Sequence, residues 1–120
     1  MLVNIACNGR RNQCGKIFAT RRVLAEHDDI RALICMNDRL AFGAYQAAEE
    51  AGLKIPRDLS IVSFDNDEIA AYLRPGLTTV GLPHEQMGRR AVELLLGGGS
   101  AEAHLIPMPV VERASIAAPR

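Results

Sequence analysis

The sequence predicts an α/β fold in which a parallel sheet carries helices on both faces. Apolar runs of strand length recur at 2–7 (LVNIAC), 30–36 (IRALICM) and 59–64 (LSIVSF), separated by segments of helical period. Near-continuous apolar strands alternating with amphipathic helices are what buried parallel strands joined by crossovers require. Two of these runs end abruptly in polar, acidic residues: Met36 leads into Asn37 and Asp38, and Phe64 into Asp65, Asn66 and Asp67. In such sheets ligands bind at the carboxyl ends of the strands, so these two tips are the first functional clue.

Each element has its own local reason. After the first strand, residues 8–13 (NGRRNQ) open with Asn-Gly, a turn signal. Ile17, Thr20, Leu24 and His27 then fall three to four apart, with Phe18 and Val23 widening the stripe, which predicts a helix with one buried face ending near Asp28 and Asp29. Following the second strand, Leu40, Gly43, Ala44, Ala47, Ala48 and Ala51 repeat with helical period. Asp38 is suited to cap that helix, because its carboxylate can accept an orphan amide of the first turn. Gly52 stands where a left-handed residue ends a helix. Residues 54–58 (KIPRD) read as a loop, 68–73 as a short helix stopped by Pro75 and Gly76, and 77–80 as a short extended segment. Met87, Ala91, Leu94 and Leu95 mark a last helix, begun after Pro83 and ended by Gly97, Gly98 and Gly99. The closing apolar stretch, 104–111, contains Pro107 and Pro109, which cannot donate to a ladder; it is an edge strand or a broken one.

Composition narrows the function classes. At 120 residues the chain suits one modest domain, and 48% apolar with 23% charged residues is ordinary globular material. Formal net charge is zero, which offers no electrostatic grip on nucleic acid or an anionic membrane. The pairs Arg10-Arg11 and Arg89-Arg90 are too short to change that. Cys7, Cys14 and Cys35 cannot all pair with one another and fit no zinc spacing, so they are expected to be reduced thiols of a cytoplasmic protein, Cys35 being a small core residue. No run is long enough to span a bilayer, and the N-terminus does not read as a signal peptide.

No catalytic machinery, metal site or cofactor is predicted. His27, His84 and His104 lie on different elements without ligand spacing, and no serine sits in a nucleophile elbow. The triple glycine follows a helix instead of opening one, so it is a connector and not a phosphate cradle. A magnesium or phosphoacceptor site at Asp65, Asn66 and Asp67 would need a second acidic pair on an early strand, and the first strand ends in Cys7-Asn8. Asn37 offers both a donor and an acceptor to a hydroxyl-bearing ligand. Asp65 offers a carboxylate that can accept from sugar hydroxyls or base amides.

Residues 32–66 (ALICMNDRLAFGAYQAAEEAGLKIPRDLSIVSFDN), 70–80 (AAYLRPGLTTV) and 87–96 (MGRRAVELLL) together resemble the LacI/GalR repressor family. The order and spacing of the Asn-Asp pair, the Gly-Leu-x-Ile-Pro-x-Asp loop, the Ser-Phe-Asp turn and the Leu-Thr-Thr segment are jointly specific. Residues 104–116 are similar to the family's closing strand and tail, and the likeness is weakest over the first fourteen residues. The resemblance implies a periplasmic-binding-protein-like core, a parallel-sheet three-layer sandwich in two subdomains with an effector cleft between them, and an N-terminal helix-turn-helix ahead. Against the family's length, the sequence is expected to supply an incomplete C-terminal subdomain over 1–80. Residues 81–103 would be a crossover and a helix that packs on the N-terminal subdomain, and 104–120 the closing strand and tail.

The resemblance also implies residue roles. Asn37 and Asp65 match positions that contact the effector, and His84 falls near the last crossover, where a ligand contact is found in some members. Arg10 falls near an aromatic that often stacks on the ligand, so stacking is a point of departure here. The family's dimer interface matches Phe42, Tyr45, Gln46, Ile69, Tyr72 and Leu73. The function implied is an effector-sensing and dimerising region of a repressor, with a sugar-like or nucleobase-like ligand, a homodimeric or strand-exchanged state and no DNA or membrane binding by the chain itself. A sugar-binding component of an import system shares the core fold, and a small acidic-site enzyme or phosphoacceptor is the reading from another class.

Overall fold

The structure, a computed structural model, describes residues 2–5, 13–99 and 102–118, with side chains described from residue 17 onward. Cys7 and Arg10, and the side chain of Cys14, lie outside that description. Five strands form one sheet in sequence order: β1 (Leu2–Ile5), β2 (Ala32–Cys35), β3 (Ser60–Asp65), β4 (Thr78–Gly81) and β5 (Val110–Val111). The first four run parallel and β5 returns antiparallel to β4. Helix α1 (Gln13–Glu26) links β1 to β2, and α2 (Asp38–Glu50) links β2 to β3. A 3-10 turn (Glu68–Ala71) lies between β3 and β4, and α3 (His84–Leu96) follows β4.

The strands alternate as period-two elements do: Leu33 and Cys35 of β2 and Ile61 and Ser63 of β3 are buried, while Ala32, Ile34, Ser60 and Val62 are half-buried. Register sets Leu33 beside Ile61 and Ser63 beside Thr79, so one face is continuous across the strands. Right-handed crossovers that step in one direction along a sheet put their helices on the same side. Accordingly α1 and α2 share one core: Val23 and Leu24 pack with Leu40, Ala41, Ala44 and Ala48 over Leu33, Cys35 and Ile61. The alanine and glycine face of α2 permits that close approach. On the opposite face Ile34, Val62, Phe64 and Val80 are only half-buried, so the three-layer arrangement is incomplete within this chain.

Several local expectations hold and two do not. The closing strand is confined to the sheet edge and begins at Val110, directly after Pro109, whose carbonyl accepts the Gly81 amide at 2.8 Å. Cys35 is a buried core residue, its thiol pushed up to about 12 by burial and then by the negative charge of Asp38. Phe18 is not part of the buried stripe: it is 55% exposed, with the Arg21 guanidinium carbon 5.6 Å from its ring centre. His27 lies exposed just beyond the end of α1. The face toward the sheet is set instead by Thr20, Val23 and Leu24, a rotation that the broad apolar pattern left open.

Helix α2 ends in a Schellman motif. The Gly52 amide bonds to the Glu49 carbonyl and the Leu53 amide to that of Ala48, with Gly52 at φ +71°. A Cβ on Gly52 would meet nothing within 4 Å, so a substitution there is opposed by backbone conformation alone. Gly52→Ala is therefore expected to cost about 1 kcal/mol. Urea unfolding should show a lower midpoint at constant slope; an unchanged midpoint would mean that the helix end relaxes without penalty.

Helix α3 stands apart from this core. None of its residues is buried, and Leu95 and Leu96 are 78% and 82% exposed. The radius of gyration is 16.8 Å, whereas a compact chain of this length would have roughly 14 Å. Helix α3 and the returning 103–107 segment line a groove of about 610 Å³.

Candidate functional site

The site begins where β2 gives way to α2. Asn37 has an extended backbone, φ −160° and ψ 166°, and its side-chain oxygen accepts the Leu40 amide at 2.9 Å. Asn37 is thus the N-cap, which corrects the assignment of that role to Asp38. The physical reason lies across the sheet. Ser63 and Thr79 occupy inward positions on β3 and β4, and their buried hydroxyls need an acceptor. Asp38, the first residue of α2, turns inward to supply it. It is fully buried and accepts from the Ser63 hydroxyl, from the Thr79 hydroxyl at 2.7 Å and from the Asp67 amide at 2.6 Å. A buried carboxylate is sustained only by such bonds to both oxygens.

The second tip is the turn after β3. Asp65 has φ +113° and Asn66 φ +55°, a region that residues with a Cβ rarely enter and that collects at functional sites. The Asn66 amide bonds to the Thr79 hydroxyl at 3.2 Å, and the Asn66 side-chain oxygen accepts from the Arg113 guanidinium at 2.9 Å. Asp67 caps the 3-10 turn by accepting the Ile69 amide at 3.1 Å. Three acids therefore divide the work: Asp38 is internal, Asp67 is a cap, and the Asp65 carboxylate makes no hydrogen bond among the described residues. Its pKa is raised from the usual carboxylate value, first by burial and then by the negative charge of Asp38. The positive charges of His84 and Arg39 oppose the rise and that of Asp67 adds to it.

His84 opens α3, three residues beyond the end of β4, and is exposed. The fold thus brings Asn37, Asp65 and His84 together at the carboxyl ends of β2, β3 and β4. The cap uses only the oxygen of Asn37, and among the described residues its side-chain NH2 makes no hydrogen bond, so it can donate to a ligand. Asp38 and Arg39 escaped the sequence reading as parts of this site. The signal for Asp38 was present: polar Ser63 and Thr79 at buried positions of neighbouring strands call for a shared acceptor. Arg39 carried no such signal.

The six residues expected at a dimer interface divide into two sets. Phe42, Tyr45 and Leu73 are half-buried against the chain's own core, and the Tyr45 hydroxyl donates to the Pro75 carbonyl at 2.9 Å. Gln46 is exposed, as are Ile69 and Tyr72, at 53% and 69%. A groove of about 570 Å³ lined by Tyr45, Gln46, Glu49, Leu73 and Arg74 adjoins them. No described helix is long and apolar enough to cross a membrane.

Residues 4–116 match the family described as periplasmic binding protein-like domain. The ribose operon repressor of Haemophilus influenzae is 42% identical over 82 residues, 68% of this chain and 25% of the repressor. The transcriptional repressor PurR of Pectobacterium atrosepticum is 36% identical over 104 residues, 82% of this chain and 30% of that protein. Among solved structures, a LacI family transcriptional regulator from Enterococcus faecium with bound ribose aligns with TM-score 0.74 and 32% identity, over 90% of this chain and 41% of that one. The chain spans about a quarter of the length of the first curated relatives it matches, 25% and 23%. The two curated relatives are repressors and the solved one is a transcriptional regulator.

Proposed function

The chain belongs to the periplasmic binding protein-like domain family, in the form carried by LacI/GalR-type repressors, and from that premise we propose that it senses a small effector in a bacterial transcriptional regulator. The effector is a sugar-like or nucleobase-like molecule held in a cleft of which this chain forms one wall. The observation that carries the reading is the Asp65 carboxylate. It sits at a strand tip, on a strained turn, without a hydrogen-bond partner among the described residues, and beside a half-committed Asn37. A carboxylate in that setting accepts from paired hydroxyls or amides, Asn37 donates, and the His84 ring offers nitrogens to the same ligand. On this reading residues 1–80 belong to the partial C-terminal subdomain, 81–103 to the crossover and its helix, and 104–120 to the closing strand and tail. DNA contact belongs to an N-terminal helix-turn-helix, which places the regulator in the cytoplasm.

One wall buries roughly half of a small ligand and leaves its hydrogen bonds in competition with water, so the chain alone binds weakly. Titration of the labelled chain with ribose, and separately with a purine base, should shift the Asn37 side-chain amide and the Asp65 carboxyl resonance before any others. Shifts elsewhere, or none at saturating concentration, would remove the site from this end of the sheet.

Binding should also depend on pH in a defined sense. An ionised Asp65 accepts from the ligand and a protonated one does so poorly, so affinity falls as pH is lowered through its titration. Because its pKa lies above the ordinary carboxylate value, that loss begins at a higher pH than for an unperturbed acid. The linkage to folding has the opposite sense: the folded chain binds this proton more tightly than the unfolded one, so the associated stabilisation is present at low pH and lost as pH rises through the folded value. Ribose titrations across the acidic range test the first sign and urea unfolding over the same range the second, each with Asp65→Asn as the control that lacks this titration. An affinity that rises on acidification would rule Asp65 out as the acceptor.

A further inference from the structure

We propose that Asp38 is a positioning residue for the effector site, holding the Asp65–Asn66 turn in its left-handed conformation and so fixing where the Asp65 carboxylate is presented. This rests on the effector reading of Asp65 and extends it to a residue that cannot itself reach a ligand, being fully buried.

The geometry is a bracket with two arms. One carboxylate oxygen of Asp38 accepts from both the Ser63 and the Thr79 hydroxyls, and the other accepts the Asp67 amide at 2.6 Å. Thr79 passes its arm on, because the same hydroxyl that donates to Asp38 accepts the Asn66 amide at 3.2 Å. The two amides that follow Asp65 are thereby tied to one buried charge, the first through Thr79 and the second directly. Two consecutive non-glycine residues at positive φ relax unless their surroundings over-determine them. The Arg113 guanidinium on the Asn66 side chain is a separate restraint from outside the bracket. Asp38 is also continuous with Asn37, whose cap starts the same helix, so one short segment fixes both polar strand tips relative to each other.

The arrangement distinguishes a positioning role from a merely structural one. Asp38→Asn keeps the shape but cannot satisfy the bracket unchanged. If its amide oxygen faces the two hydroxyls, its NH2 confronts the Asp67 amide, donor against donor; if it is turned the other way, Ser63 and Thr79 must both reverse. Hydrogen exchange on the labelled chain should then show the Asn66 and Asp67 amides opening roughly tenfold or more faster, while the Leu33 and Ile61 amides in the sheet keep their rates. The Asp65 carboxyl should titrate closer to an ordinary carboxylate, having lost one negative neighbour. Thr79→Val, which removes only the relay, should accelerate Asn66 and spare Asp67, and it keeps the question open to experiment should Asp38→Asn not fold. Turn amides unchanged in the folded variants, or accelerated only in step with Leu33 and Ile61, would overturn the proposal. Ribose added to the wild-type chain separates the two readings. If Asp65 ignores ribose while the turn amides behave as described, the effector reading fails and the positioning role stands. If ribose shifts Asp65 but the turn amides do not respond to either variant, the reverse holds.

Discussion

In a relative with both cleft walls, alanine at the position of Asp65 is expected to weaken effector binding by about 2 kcal/mol, roughly 30-fold, as for a lost hydrogen bond to a charged group. The carboxylate makes no hydrogen bond among the described residues, so little folding free energy should disappear with it. Stability should in fact move the other way for one substitution. Asp65 holds φ +113°, which glycine adopts without steric cost. Asp65→Gly should therefore raise stability by about 1 kcal/mol while losing the same affinity as alanine. Calorimetry for binding and urea unfolding for stability, measured on both variants, separate the two quantities. Unchanged affinity in Asp65→Ala would take the residue out of the pocket. A Gly variant less stable than wild type would mean that the left-handed turn is held by the Asp65 side chain and not imposed on it.

The second large effect concerns association. The chain is expected to self-associate, and the structure redistributes the contacts that would drive it. Phe42, Tyr45 and Leu73 already spend part of their apolar surface on the chain's own core, which leaves Ile69 and Tyr72 as the exposed anchors of a family-like interface. Helix α3 offers more: Met87, Val92, Leu95 and Leu96 are 43%, 55%, 78% and 82% exposed, with Leu105 at 94% on the segment that returns beside it. Full burial of a large aliphatic side chain contributes about 1.5–3 kcal/mol, so four such residues give at most roughly 6–12 kcal/mol before the costs of association, and less for those already partly covered. Among the described strands β1 is an outer one, and a sheet edge of this kind can template pairing. A micromolar or tighter dimer should result, visible by sedimentation equilibrium as a concentration-dependent mass above 13.0 kDa. Phe42→Asp should weaken a family-like interface, and Leu94→Asp only one built on α3. A cooperatively folded monomer at high micromolar concentration would falsify both routes.

Much of the fold was legible because it is local. The period-two strands, the helical stripes, Gly52 at a helix end and the prolines that confine the last strand to an edge each depend on residues within a few positions of one another. The polar tips of β2 and β3 were legible as strand ends, and so as a candidate site, for the same reason, since an apolar run that stops at Asn37 or Asp65 announces a strand end in polar surroundings. Apolar breadth without a sharp stripe was the weak point of α1: Phe18 and His27 fit the pattern and yet lie exposed, because several rotations of that helix satisfy the same spacing.

The sequence by itself determined that a parallel α/β sheet would present Asn37 and Asp65 at its carboxyl edge, and that α3 would carry an apolar stripe. Only the tertiary structure decided what each polar residue does there. Asn37 and Asp38 are chemically equivalent candidates for one cap; the choice is made by Ser63 and Thr79, 25 and 41 residues beyond Asp38, whose buried hydroxyls draw the carboxylate inward and leave the cap to the amide. The left-handed turn at Asp65 is likewise held from Asp38, Thr79 and Arg113, none of them its sequence neighbour. Hydrophobic periodicity records which face of an element is buried, whereas the partner that satisfies a buried polar group is fixed only when distant segments meet, and the chemistry of this site lies in those partners.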